Sequence, residues 1–246
     1  MKNLYAISLA LFLSACGGGG GDSTPAVSTP APVPVKTAEG LWQGTASSGA
    51  TVALAVLENG ETFGIYTSGS SIAGALYGST ASSGTTLSGA GSDFNIPSRT
   101  VASATYNGTF VEKSSLRIAT SGGATLSGTY DATYDQAASL AATAGTFSGQ
   151  GVSGNSTVQT IPVTISATGA ITVPGANGCS ASGTASPRTT GKNILDVTVT
   201  FNGANCALGN GTVTKGIGYF NATTKSLVVL ALNPAKTDGF IYIGQK

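Results

Sequence analysis

Four carboxylates and three cysteines are the residues whose types and spacing could do chemistry in this chain. Glu58 and Glu61 flank Asn59-Gly60, and Asp131 and Asp135 lie one helical turn apart. A carboxylate pair can hydrolyse a glycoside, one group as acid and the other as base or nucleophile. That division of labour needs an environment that separates the two pKa values. Glu58 and Glu61 fall on what should be a solvated hairpin tip. Asp131 and Asp135 bracket a helix start, where capping is the ordinary use of Asp. Both pairs are therefore expected to be structural. The chain has no histidine, which removes Ser-His-Asp and Cys-His systems and nearly all zinc sites. Gly191-Lys192 lacks the flanking glycine and hydroxyl of a phosphate loop. No catalytic residue, cofactor or metal ligand is expected, and the chain reads as a non-enzyme.

Cys16 has a different setting. Lys2 supplies a positive n-region, Leu4 to Leu13 an apolar h-region, and Ser14-Ala15 small residues before the cysteine. The stretch is too short to span a bilayer and has the layout of a secretory signal over 1–15. Leu13-Ser14-Ala15-Cys16 resembles the lipobox of bacterial lipoproteins. The resemblance implies cleavage before Cys16, a diacylglyceryl thioether on its sulfur and acylation of the new N-terminus. Such chains would anchor the protein stably. An Asp after the cysteine usually retains such lipoproteins in the inner membrane. Gly17 stands there instead, which implies the outer membrane, facing either the surface or the periplasm. With Cys16 assigned to lipid, Cys179 and Cys206 remain, and an even remainder in an exported protein points to a disulfide.

Residues 16–38 read as a tether. A glycine run gives way to Pro25, Pro30, Pro32 and Pro34, a flexible segment stiffened toward polyproline II. The whole chain is 9% charged, against about a quarter for an average domain, so Gly, Ser, Thr and Ala fill the gap. Net charge is +1, which leaves no electrostatic footprint for nucleic acid. Residues 40–140 carry −3 and 145–246 carry +4. That asymmetry is either drift between two solvated surfaces or a means of docking the halves or aiming one at an anionic surface.

The elements that hold these residues are strands. Asn59-Gly60, Asn107-Gly108, Asn177-Gly178, Asn202-Gly203 and Asn210-Gly211 are dipeptides suited to type I′ hairpins. Leu195, Val197, Val199 and Phe201 alternate with Asp196, Thr198 and Thr200, and Ile161, Val163 and Ile165 alternate with polar neighbours, the period of a half-buried strand. Pro162 has no N–H to give a ladder and should sit at an edge or seam. Strands are expected near 40–46, 51–58, 61–68, 72–79, 84–92, 100–110, 113–120 and 124–131. A second set is expected near 145–150, 157–166, 169–173, 178–186, 193–202, 211–219, 225–232 and 238–244.

The halves also match each other. Gly40-Leu41-Trp42-Gln43-Gly44 aligns with Gly145-Thr146-Phe147-Ser148-Gly149, Phe94-Asn95 with Phe201-Asn202, Lys113-Ser114 with Lys225-Ser226, and Gly128 with Gly239. A tandem duplication accounts for the steadily growing offset. The expected fold is all-β: two up-and-down barrels of about eight strands at 39–131 and 145–246, with a β-sandwich as the competing architecture. One short helix is expected over 132–144, with Tyr134, Ala137, Ala138 and Ala141 on one face.

The Gly-x-Trp-x-Gly opening of a meander resembles the first strand of lipocalin-like barrels. The polyglycine tether and small barrels resemble surface lipoproteins of the transferrin-binding and factor-H-binding kind. These likenesses imply that Trp42 and Phe147 plug the barrels, and no partner-binding residue carries over. Three functions remain open: a binding module for a macromolecule, a carrier of a small apolar ligand inside one barrel, and a structural envelope lipoprotein. A cavity of carrier size would mark the second.

Overall fold

The computed structural model describes residues 36–153 and 156–246. Cys16, the leader and the tether up to residue 35 lie outside them, and the end of the expected tether, Ala38, is buried in the first barrel. The first eight strands are β1 (Gly40–Ala46), β2 (Thr51–Val56), β3 (Glu61–Ser68), β4 (Ser71–Ser83), β5 (Thr86–Asn95), β6 (Thr100–Val111), β7 (Ser115–Thr120) and β8 (Thr125–Tyr130). Each pairs antiparallel with the next, and β1 pairs with β8, so the sheet closes into a barrel. The second eight are β9 (Gly145–Ser153), β10 (Gln159–Ile165), β11 (Ala170–Ala176), β12 (Cys179–Pro187), β13 (Leu195–Asn202), β14 (Val213–Asn221), β15 (Ser226–Leu232) and β16 (Gly239–Gln245). Here β16 closes on β9. The architecture is thus two closed barrels, and the sandwich alternative is set aside.

Alternation along each strand fills the interiors. Trp42, Val52, Leu54, Val56, Leu87, Phe110 and Leu116 form the inner cluster of the first barrel. Trp42 is 1% exposed, meets Tyr130 edge-on at 5.3 Å and donates its indole N–H to the Ala38 carbonyl at 3.0 Å. Ala38 in turn donates to Ser82 Oγ at 2.9 Å, so the chain entering the barrel seals its end. Phe147, fully buried, does the same for the second barrel, where it packs against Phe220 at 5.8 Å. The Lys246 ammonium covers both rings and donates to the carbonyls of Ala142 and Ala144.

A third cluster lies outside both barrels, between them. Outward residues of the first barrel (Ala55, Phe63, Ile65, Ala75 and Phe94) meet outward residues of the second (Val152, Ile217, Tyr219, Leu230, Leu232 and Ile241). β15 reads Ser-Leu-Val-Val-Leu-Ala-Leu because both of its faces are buried. Leu227, Val229 and Ala231 face inward, and Leu230 and Leu232 face the neighbouring barrel. A strand covered on both sides loses the polar half of its alternation.

Glycine permits the tight curvature at particular points. Gly78 of β4 lies opposite Gly91 of β5. A Cβ on Gly78 would overlap the Ala90 carbonyl, and one on Gly91 the Tyr77 carbonyl. Glycines of this kind let a sheet bend sharply without a side chain in the fold of the bend.

Several expectations need correction. The single helix over 132–144 is two separate turns, a 3₁₀ turn at Ala132–Asp135 and α1 at Leu140–Thr143. Gln136 turns extended, and Ala138 N–H bonds to the Lys192 carbonyl in the second barrel, which pulls the chain out of helical geometry. Among the Asn-Gly pairs, only Asn177-Gly178 has positive φ at both residues (53° and 78°). Asn107-Gly108 lies inside β6, where Gly108 approaches the Arg117 carbonyl of β7 too closely for a side chain. Several hairpins instead place a basic residue in the left-handed region: Arg99, Lys113, Lys225 and Lys236. Lys113 and Lys225 adopt it at equivalent turns, with φ of 52° and 57°, as their sequence match implies. The Gly40–Gly44 and Gly145–Gly149 openings also correspond, but two other matches drift. Gly128 pairs with Gly44 and Gly244 with Gly149, so the counterpart of Gly128 is Gly244, not Gly239. Phe94 faces outward and Phe201 inward, a slip of one residue that moves a side chain to the opposite face.

Pro162 does sit at a seam. β10 pairs with β11 only at Thr164–Thr172 and Ile165–Ile171. Beyond those pairs the two strands part, with Pro162 on one lip and Pro174 on the other.

Candidate binding groove

The residues flagged for chemistry are spent on structure. The Arg188 guanidinium of the second barrel grips Glu58 through Nη2 at 2.7 Å and Nε at 3.1 Å, and also bonds Asp196. Those hydrogen bonds hold the Glu58 carboxyl below its ordinary value and raise Arg188. Glu58 does sit exposed on the turn between β2 and β3, and from there its carboxylate also docks onto the second barrel. Asp131 caps the 3₁₀ turn as expected, accepting Thr133 N–H at 3.0 Å, and its other oxygen accepts the Tyr219 hydroxyl of the second barrel at 2.9 Å. Burial, more than that contact, pushes the Tyr219 phenol up to about 12. Asp135 caps nothing. It bridges Lys113 at 2.8 Å and Lys192 at 2.7 Å, and these bonds, Lys113's first, lower its pKa to about 2. Opposite charges thus contribute to docking at a few points, but the interface between them is apolar. Cys179 and Cys206 form a disulfide, with a Cα–Cα distance of 4.8 Å. It ties the start of β12 to the loop after β13.

Glu61 belongs to a different place. It accepts the Tyr77 hydroxyl at 3.1 Å through one oxygen and the Asn59 amide at 3.1 Å through the other. Tyr77 packs edge-on against Phe63 of the docking cluster at 5.1 Å. The Lys236 ammonium sits 4.6 Å from the centre of its ring. Lys236 comes from the turn between β15 and β16, with φ 58°, a conformation that costs an L-residue roughly 1–2 kcal/mol. Asn233 over-determines that turn: its carbonyl accepts Lys236 N–H, its side-chain oxygen accepts Thr237 N–H, and its amide donates to Thr237 Oγ1. The turn of one barrel is thereby pinned beside the outer wall of the other.

Between this turn and the outer face of β4–β6 lies a groove of about 750 Å³. Register places Tyr77, Ser92 and Ser103 in one row across three strands, and Ser79, Ala90 and Thr105 in the next. The row between them, Gly78, Gly91 and Ala104, points inward and leaves little bulk behind the floor. β4, β5 and β6 run 13, 10 and 12 residues; β4 and β5 give Ala75 and Phe94 to the docking face, and the rest of their outer surface extends past it. Glu61 and Lys236 are the ionisable groups in the lining, and both are engaged through Tyr77.

The interiors offer less room. A cavity of about 90 Å³ in the first barrel lies among Leu54, Leu76, Ile118 and Leu126, near Asp93 and Tyr106. Its polar groups are bonded in pairs: the Tyr66 hydroxyl donates to Asp93 at 2.7 Å, and Thr80 links Thr62 and Tyr106. A second cavity of about 140 Å³ opens at the mouth of the other barrel near the disulfide. Pockets for drug-sized ligands run to roughly 300–1,000 Å³.

Comparison with models of known families, with curated proteins and with solved structures returned no match. The groove is therefore read from its own chemistry. Sequence reasoning missed it because Tyr77, Ser92, Thr105 and Lys236 are unremarkable alone and are assembled by docking. The signal that existed was the two-sided apolar run Leu227–Leu232, which announces a face that must be covered by another body.

Proposed function

We propose that this chain is a lipid-anchored envelope lipoprotein whose two-barrel body is a non-catalytic binding module, presenting the outer groove to a macromolecular partner. Lipid on Cys16 provides attachment to the outer membrane, and the rigid barrels provide the scaffold. One observation carries the reading. The carboxylates that could have served as acid and base are held by Arg188, Lys113, Lys192, Tyr77 and Tyr219, while the open concavity lies outside, where the barrels meet. Interior cavities of about 90 and 140 Å³ favour this over carriage of an apolar ligand.

Four measurements test it. Metabolic labelling with a palmitate analogue should mark the wild type and not Cys16→Ser, and the protein should fractionate with the outer membrane. An unlabelled wild type defeats the anchor. Protease treatment of intact and permeabilised cells then separates a surface location from a periplasmic one. Crosslinking in the native envelope should give a partner adduct that Ser92→Arg removes. An adduct indifferent to that change defeats the groove.

A further inference from the structure

We infer that the groove takes a neutral saccharide chain, an inference that rests on the binding-module reading and names the partner's chemistry. The argument is one of charge and hydrogen bonding. The Lys236 ammonium lies against the Tyr77 ring, and both Glu61 oxygens already accept hydrogen bonds. The two charges sum to zero and are held by the same tyrosine. A polyanion would face Glu61 with one cation to offset it, and a polycation would face Lys236. Either would lose hydration without gaining a partner, which is costly for an ion.

What stays available along the floor is hydroxyl: Ser79, Ser92, Ser103 and Thr105. A hydroxyl both donates and accepts, so a row of them matches a ligand whose own groups do the same. Sugars have that property along their whole length. A peptide strand is poorly served, because β4 and β5 pair with neighbours on both sides along the floor, and the one stretch paired on a single side, Thr100–Ala104 of β6, lies at its margin, where strand addition would run beside the hydroxyl rows and not across them. An apolar anchor is poorly served too, since Tyr77 is covered on one side by Lys236 and packed by Phe63. The groove has a volume of about 750 Å³ and lies open to solvent, so it admits a chain that continues past it.

The test uses the full chain, purified in detergent, and uncharged hexasaccharides of glucose, mannose and galactose, with uronic-acid hexasaccharides alongside. Titration calorimetry should show binding of at least one neutral probe. Its affinity should stay within about twofold between roughly 0.05 and 0.5 M NaCl, because no ion pair is there to be screened. Ser92→Arg and Thr105→Arg should each weaken it at least tenfold, with far-UV spectra and melting unchanged. Thr200→Arg, on the outer face of the second barrel, should leave it intact. Absence of binding to every neutral probe overturns the inference, as does binding confined to uronates, collapse in salt, or indifference to the groove variants. If Ser92→Arg removes the envelope adduct while every neutral probe fails, the groove remains a binding site and the saccharide assignment falls.

Discussion

Replacing Leu230 with alanine in the second barrel should lower the unfolding midpoint reported by Trp42 in the first. Leu230 is 2% exposed and faces away from its own barrel into the docking cluster with Ala55 and Phe63. Truncating a buried leucine costs about 2–5 kcal/mol through lost transfer energy and the void left behind. At ~3 kcal/mol, a body of about 210 residues, which shifts roughly 2–4 °C per kcal/mol, should melt about 6–12 °C lower. Trp42 is the sole tryptophan and is 1% exposed, so its fluorescence follows the first barrel alone, while far-UV circular dichroism follows both. If the barrels unfold as one body, the two probes should coincide in wild type and move together in Leu230→Ala. Leu227→Ala is the companion variant: the same strand, fully buried, but facing into the second barrel. A Trp42 midpoint unmoved by Leu230→Ala, with a shift confined to circular dichroism, would refute the docking interface as a shared core.

Two further outcomes are expected. The Lys113 and Lys192 hydrogen bonds hold the folded pKa of Asp135 at about 2, below its ordinary value of 3.8, so its contribution is present above the unfolded value and lost as pH falls through the folded one. The gap in urea midpoint between wild type and Asp135→Asn should be full above about pH 5, shrink between roughly 4 and 2, and close below that; a constant gap would contradict the ion bridge. Removing the disulfide by Cys179→Ser with Cys206→Ser frees a loop with a sequence separation of 27. Stability by urea titration should then fall by about 3.5 kcal/mol on the chain-entropy argument.

Strand positions were legible because period-2 alternation and turn residues are local properties. β1, β3 and β6 begin where the pattern begins, and the pairing of Cys179 with Cys206 follows from counting. What was not legible depends on tertiary contact. Asn107-Gly108 looks like a turn in sequence, yet it lies mid-strand because the ladder with β7 needs a glycine there. Phe94 looks like Phe201, yet it points outward because the second barrel covers it. Glu58 is exposed as its turn implies, yet nothing local announces that it meets Arg188 from 130 residues away. The groove is the extreme case, since its wall and floor belong to different barrels and share no local pattern.

Ring closure has a consequence for how this protein survives in solution. A chain with 9% charged residues has little electrostatic repulsion to keep copies apart, and so many strands would normally invite edge-to-edge templating and fibrils. Two closed rings withhold most of those edges, leaving Thr100–Ala104 of β6 as a short stretch paired on one side. Where β10 and β11 part, both exposed lips carry proline, at Pro162 and Pro174, which cannot donate to an incoming strand. Opening either ring, rather than altering its charge, is therefore the change expected to make the chain precipitate.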